Sequence, residues 1–402
     1  MAHVLVASYG GGHAQMMIPV VRALCRSDHI CTVLGLTTGK SLFEHAGITC
    51  VGLAACVSSA PWWSEAECWG LKVLAQSEQS AAVSREDTIA YYGSGLSDLV
   101  LELGEAEAWG EFLKYDRKCF RPMRTARYLL ESIAPDVLVC TNSPRMERAL
   151  IEQARALNIP TLVLVDAFAR IEMDWLSQPG YGSIVAVFHD SVRCELVARG
   201  RRPNEVIVTG NPGFGDLAQV RKARRSRPKR KRPHVLYLSQ AEALISGSNV
   251  DPDRVTFDVM GSLQAGMAND QWTAEVRFHP NQGEHVRGAC GTLLDRSHLI
   301  SLHDALMEAD IVISASSSAG IQAMLVGIPL VEIGWSIRSG LTPFHQLGPM
   351  RVASSVGALA DCIGSLHAMA ASEHGEAKPE SIEGSAEERV LEALCRLIES
   401  DL

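Results

Sequence analysis

The chain has 402 residues, enough for two domains at roughly 100–200 residues each. Hydrophobic residues make up 47% and charged residues 21%, which allows a sizeable buried core and excludes wholesale disorder. A net charge of −9 argues against a general nucleic-acid binder, which carries a basic footprint, but leaves room for a small anionic ligand in a local pocket.

The first residues, HVLVAS, form a β-branched apolar run. YGGGH follows as a turn, and AQMMIPVVRALCRSD repeats with helical period. Strand, glycine loop and helix in that order open a doubly wound sheet. ICTVLGL reads as a second strand, and residues 55–130, rich in Trp, Glu, Ser and Ala, as a helical excursion with loops. PDVLVCTNS, MERALIEQARAL and IPTLVLVDAFA then form a strand–helix–strand unit. SIVAVFHD, SVRCELVARG and EVIVTGNPG continue the alternation, which implies a parallel sheet.

A basic run, Arg221 to Arg232, interrupts the pattern. It reads as a solvated linker, with attraction to an anionic lipid surface as the functional alternative. The alternation then restarts. HVLYLSQ, AEVRFHP, HLISL, DIVISAS and IPLVEIGW are strands, and a segment up to Ala268, HDALMEA and SSAGIQAMLVG are helices. ASEHGEAKPESIEGS is of low order, and an amphipathic helix runs from Ala386 to Ile398. The expected organisation is a domain over 1–218, a linker over 219–233, a second domain over 234–375 and a tail over 376–402.

The 11 cysteines are odd in number and show no CxxC spacing, so they read as reduced thiols rather than a disulfide framework or zinc site. MAHVLVASYGGGH lacks the basic start of a signal peptide, and no apolar run approaches the ~20 residues of a membrane span. A cytoplasmic protein is expected, touching a membrane surface at most.

Four motifs carry the chemistry. Gly10, Gly11 and Gly12 let backbone N–H groups approach an anion at a helix start, although the loop does not spell the dinucleotide fingerprint. His13, at that helix start, is placed to act as a general base on a hydroxyl. In Arg277-Phe278-His279-Pro280-Asn281 a strand delivers His279 at its carboxyl end, where open α/β sheets bind ligands. In Ser314-Ala315-Ser316-Ser317-Ser318-Ala319-Gly320 one serine suffices to cap the next helix, and three with a glycine point to a close-fitting anion. Val208-Thr209-Gly210-Asn211-Pro212-Gly213 ends the first half as a tight turn or a ligand-facing loop.

In this order the four motifs resemble the GT-B superfamily. VTGNP and YGGGHAQMMIPVVRAL are similar to segments of the lipid-linked peptidoglycan N-acetylglucosaminyltransferase and of the non-hydrolysing UDP-N-acetylglucosamine 2-epimerases. FHP with the serine loop resembles motifs of capsule-building transferases that use CMP-sugars. The resemblance implies an α/β fold of two Rossmann-like doubly wound domains facing a central cleft. It implies a nucleotide-sugar donor, UDP- rather than CMP-linked, held in the second domain by Ser239, Gln240, His279, Ser316, Ser317, Ser318 and Gln322. Gly11, Gly12 and Asn211 of the first domain would join in binding that donor, and an acceptor glycan or lipid-linked sugar would lie in the first domain near His13 and the tryptophans Trp62, Trp63 and Trp69. Two departures stand out. Gln322 occupies the place of a glutamate that holds the ribose, and Asn142 that of an acidic residue of the epimerases, whose next glutamate is matched by Asp166.

The expected activity is glycosyl transfer with inversion, without a metal or other cofactor, in cell-surface polysaccharide synthesis. His13 would be the base, and Asp166 would orient it or bind the acceptor. An epimerase or hydrolase would instead draw on Asp166, Glu172 and Asp190 as acid and base groups. A third possibility is a non-catalytic subunit that binds a sugar nucleotide. No nucleic-acid partner is expected.

Overall fold

A computed structural model describes residues 1–76, 82–215, 217–242, 251–279, 282–372 and 385–400. The chain divides into two compact units. The first holds residues 1–215 and the C-terminal helix Ala386–Ser400; the second holds the described residues 217–372.

The first unit is built on a seven-stranded sheet. Its strands are β1 (His3–Ser8), β2 (Ile30–Gly35), β3 (Val51–Gly52), β4 (Val137–Thr141), β5 (Thr161–Leu164), β6 (Ile184–Val187) and β7 (Val206–Val208), in the order β3-β2-β1-β4-β5-β6-β7. Every pairing is parallel. Strands buried on both faces are apolar throughout, so β1 and β4 read as continuous runs rather than as alternations. The chain winds outward from β1 to β3, then returns to place β4 beside β1, so the topological switch point lies between the carboxyl ends of β1 and β4.

The expected helical excursion is present as helices Leu53–Val57, Trp63–Leu74, Arg85–Leu103, Glu105–Tyr115 and Met123–Ile133. Trp69 is buried in it, 5.9 Å from Trp109, while Trp62 packs beside Tyr128 and under the Arg124 guanidinium. Trp63 faces a cavity of about 690 Å³, together with Lys40, Ser84 and Asp87. The tail helix Ala386–Ser400 returns to the first unit. Val390, Ala393, Leu394 and Leu397 join its core, and Arg389 donates to the Thr209 carbonyl.

The second unit has a six-stranded parallel sheet of β8 (His234–Leu238), β9 (Thr273–Arg277), β10 (Leu294–Asp295), β11 (Ile311–Ser314), β12 (Leu330–Ile333) and β13 (Met350–Ala353). The order β10-β9-β8-β11-β12-β13 repeats the double winding, with the switch point between β8 and β11. The strand expected at HLISL is replaced by a turn: Leu299 and Ile300 donate back to the Arg296 carbonyl, and the short edge strand lies a few residues earlier. The strand Met350–Ala353 and the helix Leu359–Ser372 follow, neither of them anticipated.

The basic run is not a solvated linker. It forms the end of a helix, Leu217–Arg225, and a clamp on the helix Leu302–Glu308. Arg224 donates to the carbonyls of Leu306 and Ala309 at 2.5 and 2.6 Å, Arg227 pairs with Asp310 at 2.6 Å, Arg230 donates to the Glu308 carbonyl, and Arg232 pairs with Asp270. Burial pushes the Arg224 guanidinium down to about 10, the cost of using it as an internal cap for a helix C-terminus. Four of the cations offered to an anionic surface are therefore engaged within the unit. The low-order stretch before the tail helix lies largely outside the described residues. Among the described residues no helix is long and apolar enough to cross a membrane.

Candidate functional site

At the first switch point the glycine loop leaves β1. Gly11 has φ 67°, a conformation glycine adopts without strain, and this turns the chain directly into the helix Gly12–Leu24. Gly11 and Gly12 are exposed, and no side chain caps the helix. His13 is half-buried on its first turn, and its Nδ1 is buried with no hydrogen-bond partner.

The opposite wall comes from the segment after β4. Glu147, completely buried, spans the two strand ends: it accepts from the Tyr9 N–H at 2.9 Å, the Thr141 N–H at 2.5 Å and the Thr141 hydroxyl at 2.6 Å. Burial raises its carboxyl above the ordinary range, opposed by the attraction of His13 and by these donors. Glu172, at the start of the short helix Met173–Leu176, is also raised, first by burial and then by the neighbouring Asp166 charge, with His13 pulling the other way. Four titratable groups, His13, Glu147, Asp166 and Glu172, are thus in one electrostatic neighbourhood. Asp190, the third carboxylate read from the sequence, is exposed elsewhere and lies 3.6 Å from Arg193.

Two asparagines hold this wall in place. Asn142 accepts from the Asp166 N–H at 3.2 Å. Asn211 donates to the Asp166 carbonyl at 2.7 Å and accepts from the Gly213 N–H at 2.8 Å, so both ends of its amide are engaged within the unit. Gly213 presses on the backbone of Met16, where a Cβ would come within 2.8 Å, so the VTGNPG loop also fixes the helix that bears His13.

The second switch point is joined in the same manner. Gln240 donates to the Ser316 carbonyl at 2.9 Å and accepts from the Ser316 N–H at 3.0 Å, linking the ends of β8 and β11. The Ser316 hydroxyl meets Thr342 at 2.8 Å, and Ser317 caps the helix Ser318–Leu325 through the Gly320 N–H. Ser318 is exposed; its N–H and that of Ala319 have no carbonyl within the helix to reach, which leaves them for an external acceptor. Gln322 is half-buried one turn further on. Ser239 is buried, with its hydroxyl 3.2 Å from that of Thr256.

His279 lies exposed at the carboxyl end of β9; Pro280 and Asn281 of its motif lie outside the described residues. Partial desolvation of the ring, although the residue as a whole is exposed, and the nearby Arg338 charge lower its pKa, which favours the neutral imidazole. Arg338 follows β12 and was not anticipated. It donates to the Ala241 carbonyl through Nε at 3.2 Å and Nη2 at 3.0 Å, and its loop is anchored where buried Glu242 accepts from the Ser336 hydroxyl and the Ile337 N–H. Nothing in the local sequence, WSIRSG, marks this arginine; it emerges only once the loop is folded over the end of β8. The Asp251-Pro252-Asp253 pair is engaged internally: Asp253 meets His285 at 2.9 Å, and Asp251 accepts from the Asp253 N–H.

Two doubly wound parallel sheets define the GT-B fold, and solved structures agree. The chain is similar in fold to a UDP-GlcNAc 2-epimerase from Neisseria meningitidis bound to UDP-GlcNAc, at 12% identity and a TM-score of 0.57, over 98% of this chain and 100% of that one. It is similar also to a putative UDP-N-acetylglucosamine 2-epimerase from Listeria monocytogenes (12%, TM-score 0.58, 99% and 98% covered) and to MnaA of S. aureus in a structure with UDP (11%, TM-score 0.60, 99% and 97% covered). No protein-family model matches the sequence, and comparison with curated proteins finds no significant match.

Proposed function

We propose that this protein is a nucleotide-sugar enzyme that breaks the bond between the anomeric carbon and the phosphate oxygen, and that it transfers the sugar to an acceptor hydroxyl. The observation that carries the reading is His13: an imidazole with a buried, unpartnered nitrogen, at a helix start, on the topological switch point, in the electrostatic neighbourhood of buried Glu147 and half-buried Glu172. Partnerless imidazole nitrogens are rare unless something else is meant to meet them. In the transfer step His13 takes the acceptor proton, the acceptor oxygen attacks the anomeric carbon, and the nucleoside diphosphate departs with the electron pair. Taken by itself, the second unit offers the Ser318 and Ala319 N–H groups, His279 and Arg338 as groups that would hold a nucleotide's phosphates, a preorganised electrostatic role. The likeness to an epimerase bound to UDP-GlcNAc and to MnaA in a structure with UDP supports uridine as the base.

One observation favours a second reading, epimerisation or hydrolysis of the same donor. Asp166 and Glu172 interact electrostatically, and burial raises Glu172 above the ordinary carboxylate range, so two acidic groups stand in the neighbourhood of His13. Asn142, which lacks a titratable proton, stands against it.

The two are separated by incubating the protein with UDP- and CMP-sugars, with and without acceptor glycans, with and without a chelator. Transfer predicts acceptor-dependent nucleotide release that survives chelation and falls about 10²–10⁴-fold in His13→Ala. Acceptor-free conversion that collapses in Asp166→Asn and Glu172→Gln would establish the second reading. Undiminished transfer by His13→Ala would remove the base assignment.

A further inference from the structure

The cavity beside Trp63, which neither reading uses, lies in the first unit where the sheet edge meets the helical excursion. At about 690 Å³ it falls within the roughly 300–1,000 Å³ of small-molecule sites. Its wall includes Gly52, the last residue of β3, and Lys40, which follows β2. The cavity therefore lies at the carboxyl end of the sheet, where such sheets take ligands.

Six of the seven tryptophans are engaged within the protein. Trp62 packs on Tyr128 and Arg124, Trp69 and Trp109 on each other, and Trp175 under Arg148. Trp272 donates to the Leu263 carbonyl, and Trp335 packs against the core of the second unit. Trp63 is half-buried against the cavity, and among the described residues its ring has no aromatic or cationic partner and its N–H no acceptor. A large flat ring left in this way is a platform that an occupant can cover.

The polar part of the wall is pinned. Asp87 is buried and accepts from the Ala54 N–H at 2.9 Å, the Ser84 hydroxyl at 3.0 Å and the Lys40 ammonium at 3.3 Å. It presses on Gly52 so closely that no Cβ would fit between them. Lys40 keeps two of its three donors, and the exposed Ser58 and Glu67 add a hydroxyl and a carboxylate. The charges in the wall are Lys40 and Arg85 against Glu67, Glu86 and Asp87, a balance that disfavours a phosphate or carboxylate. An apolar face for the indole, edge hydroxyls that donate and accept, and no negative charge describe an uncharged sugar ring. The slightly positive C–H groups of such a ring are drawn to the electron-rich face of an indole.

The cavity is also tied to the helix that bears His13. The glycine loop packs on the segment around Lys40, Gly10 against the Thr38 side chain and Ser8 against Gly39, with no room for a Cβ at either glycine.

We infer that this cavity is a subsite for an uncharged pyranose ring, stacked on Trp63 and hydrogen-bonded by Lys40, Ser58 and Glu67. That the ring belongs to the acceptor glycan rests on the reading above; the capacity to bind a sugar does not.

The full chain is applied to immobilised oligosaccharides ending in hexoses, N-acetylhexosamines or uronates, as wild type, Trp63→Ala, Trp63→Phe and Glu67→Ala. Melting curves and UDP calorimetry are run on the same samples. Wild type should hold one or more of the neutral sugars, and Trp63→Ala should lose about tenfold or more of that affinity. Trp63→Phe should keep most of it, because a flat ring remains. Glu67→Ala, at an exposed position, should weaken it with the melting point unchanged, which carries the test if Trp63→Ala fails to fold. UDP affinity should be the same in all four. No neutral sugar bound by wild type, equal binding by folded Trp63→Ala and Glu67→Ala, or a preference for uronates overturns the subsite. Loss of UDP binding in folded Trp63→Ala overturns it too, by placing a nucleotide there. A sugar that binds through Trp63 but accepts no transfer, or a wild type that binds no UDP, counts against the reading above and leaves the subsite standing.

Discussion

Replacing Arg338 with methionine tests the phosphate-binding assignment of the second unit. A guanidinium has five N–H donors, and Arg338 spends two of them on the Ala241 carbonyl, which leaves three for a ligand. A charge-assisted hydrogen bond to a phosphate is worth about 1.5–3 kcal/mol, so losing one weakens UDP binding roughly 10- to 150-fold. The fold should tolerate the change, because the loop stays anchored by Glu242 through Ser336 and Ile337. A second readout comes from His279. The Arg338 charge is one of the two causes that lower its pKa, so removing that charge must raise it, while burial still holds it down. Calorimetry with UDP and an NMR titration of the His279 ring measure the two effects on the same sample. If Arg338→Met binds UDP as wild type does, the arginine is no phosphate ligand. If His279 titrates unchanged, the two side chains are not neighbours in solution.

The lowered His279 pKa also fixes a pH dependence. The ring is neutral through the neutral range, so UDP affinity should be flat from about pH 7 to 8.5 and strengthen only as the pH falls below the ordinary histidine value near 6.5. The same group must cost stability on acidification, since the unfolded chain protonates first; His279→Asn should remove both trends, read by calorimetry and by melting curves. Arg201 offers a test of the first unit. It is fully buried, donates to the carbonyls of Leu176, Gln178, Tyr181 and Gly182, and pairs with Glu205 at 2.9 Å. Arg201→Ala strands four carbonyls and leaves Glu205 only its 3.6 Å contact with Arg202, and should cost about 3–5 kcal/mol in denaturant unfolding. A loss below about 1 kcal/mol would show that water replaces the arginine with ease.

The alternation of elements was legible because the inner strands are buried on both faces. β1, β4, β8 and β11 have continuous apolar interiors with polar residues only at their ends, and the glycine and serine loops break them where the helices begin. The edges were not legible for the same reason. β13 carries Arg351 and an exposed Val352, and β10 has two residues, so neither presents an apolar run. HLISL misleads in the other direction: its Leu299 is 79% exposed, and the run closes a turn after an Asp–Ser–Arg cluster. The basic run was read from charge alone, whereas its arginines face the carbonyl end of a helix some eighty residues away in sequence.

The site was legible as a set of loops but not as a division of labour. Glutamate, glutamine, asparagine and serine at a strand end can join two loops or hold a ligand, and both tasks call for the same hydrogen-bonding groups. Glu147 in the first unit and Gln240 in the second cross their switch points and are consumed in doing so; Asn211 and Ser239 are consumed nearby. What these joints leave over is more informative than what they contain. Each side chain engaged within its unit frees a neighbour that is not: His13 with a bare nitrogen, and the exposed Ser318 at an open helix start. Holding such groups unpaired costs stability, and a protein retains them at a switch point when a substrate completes them.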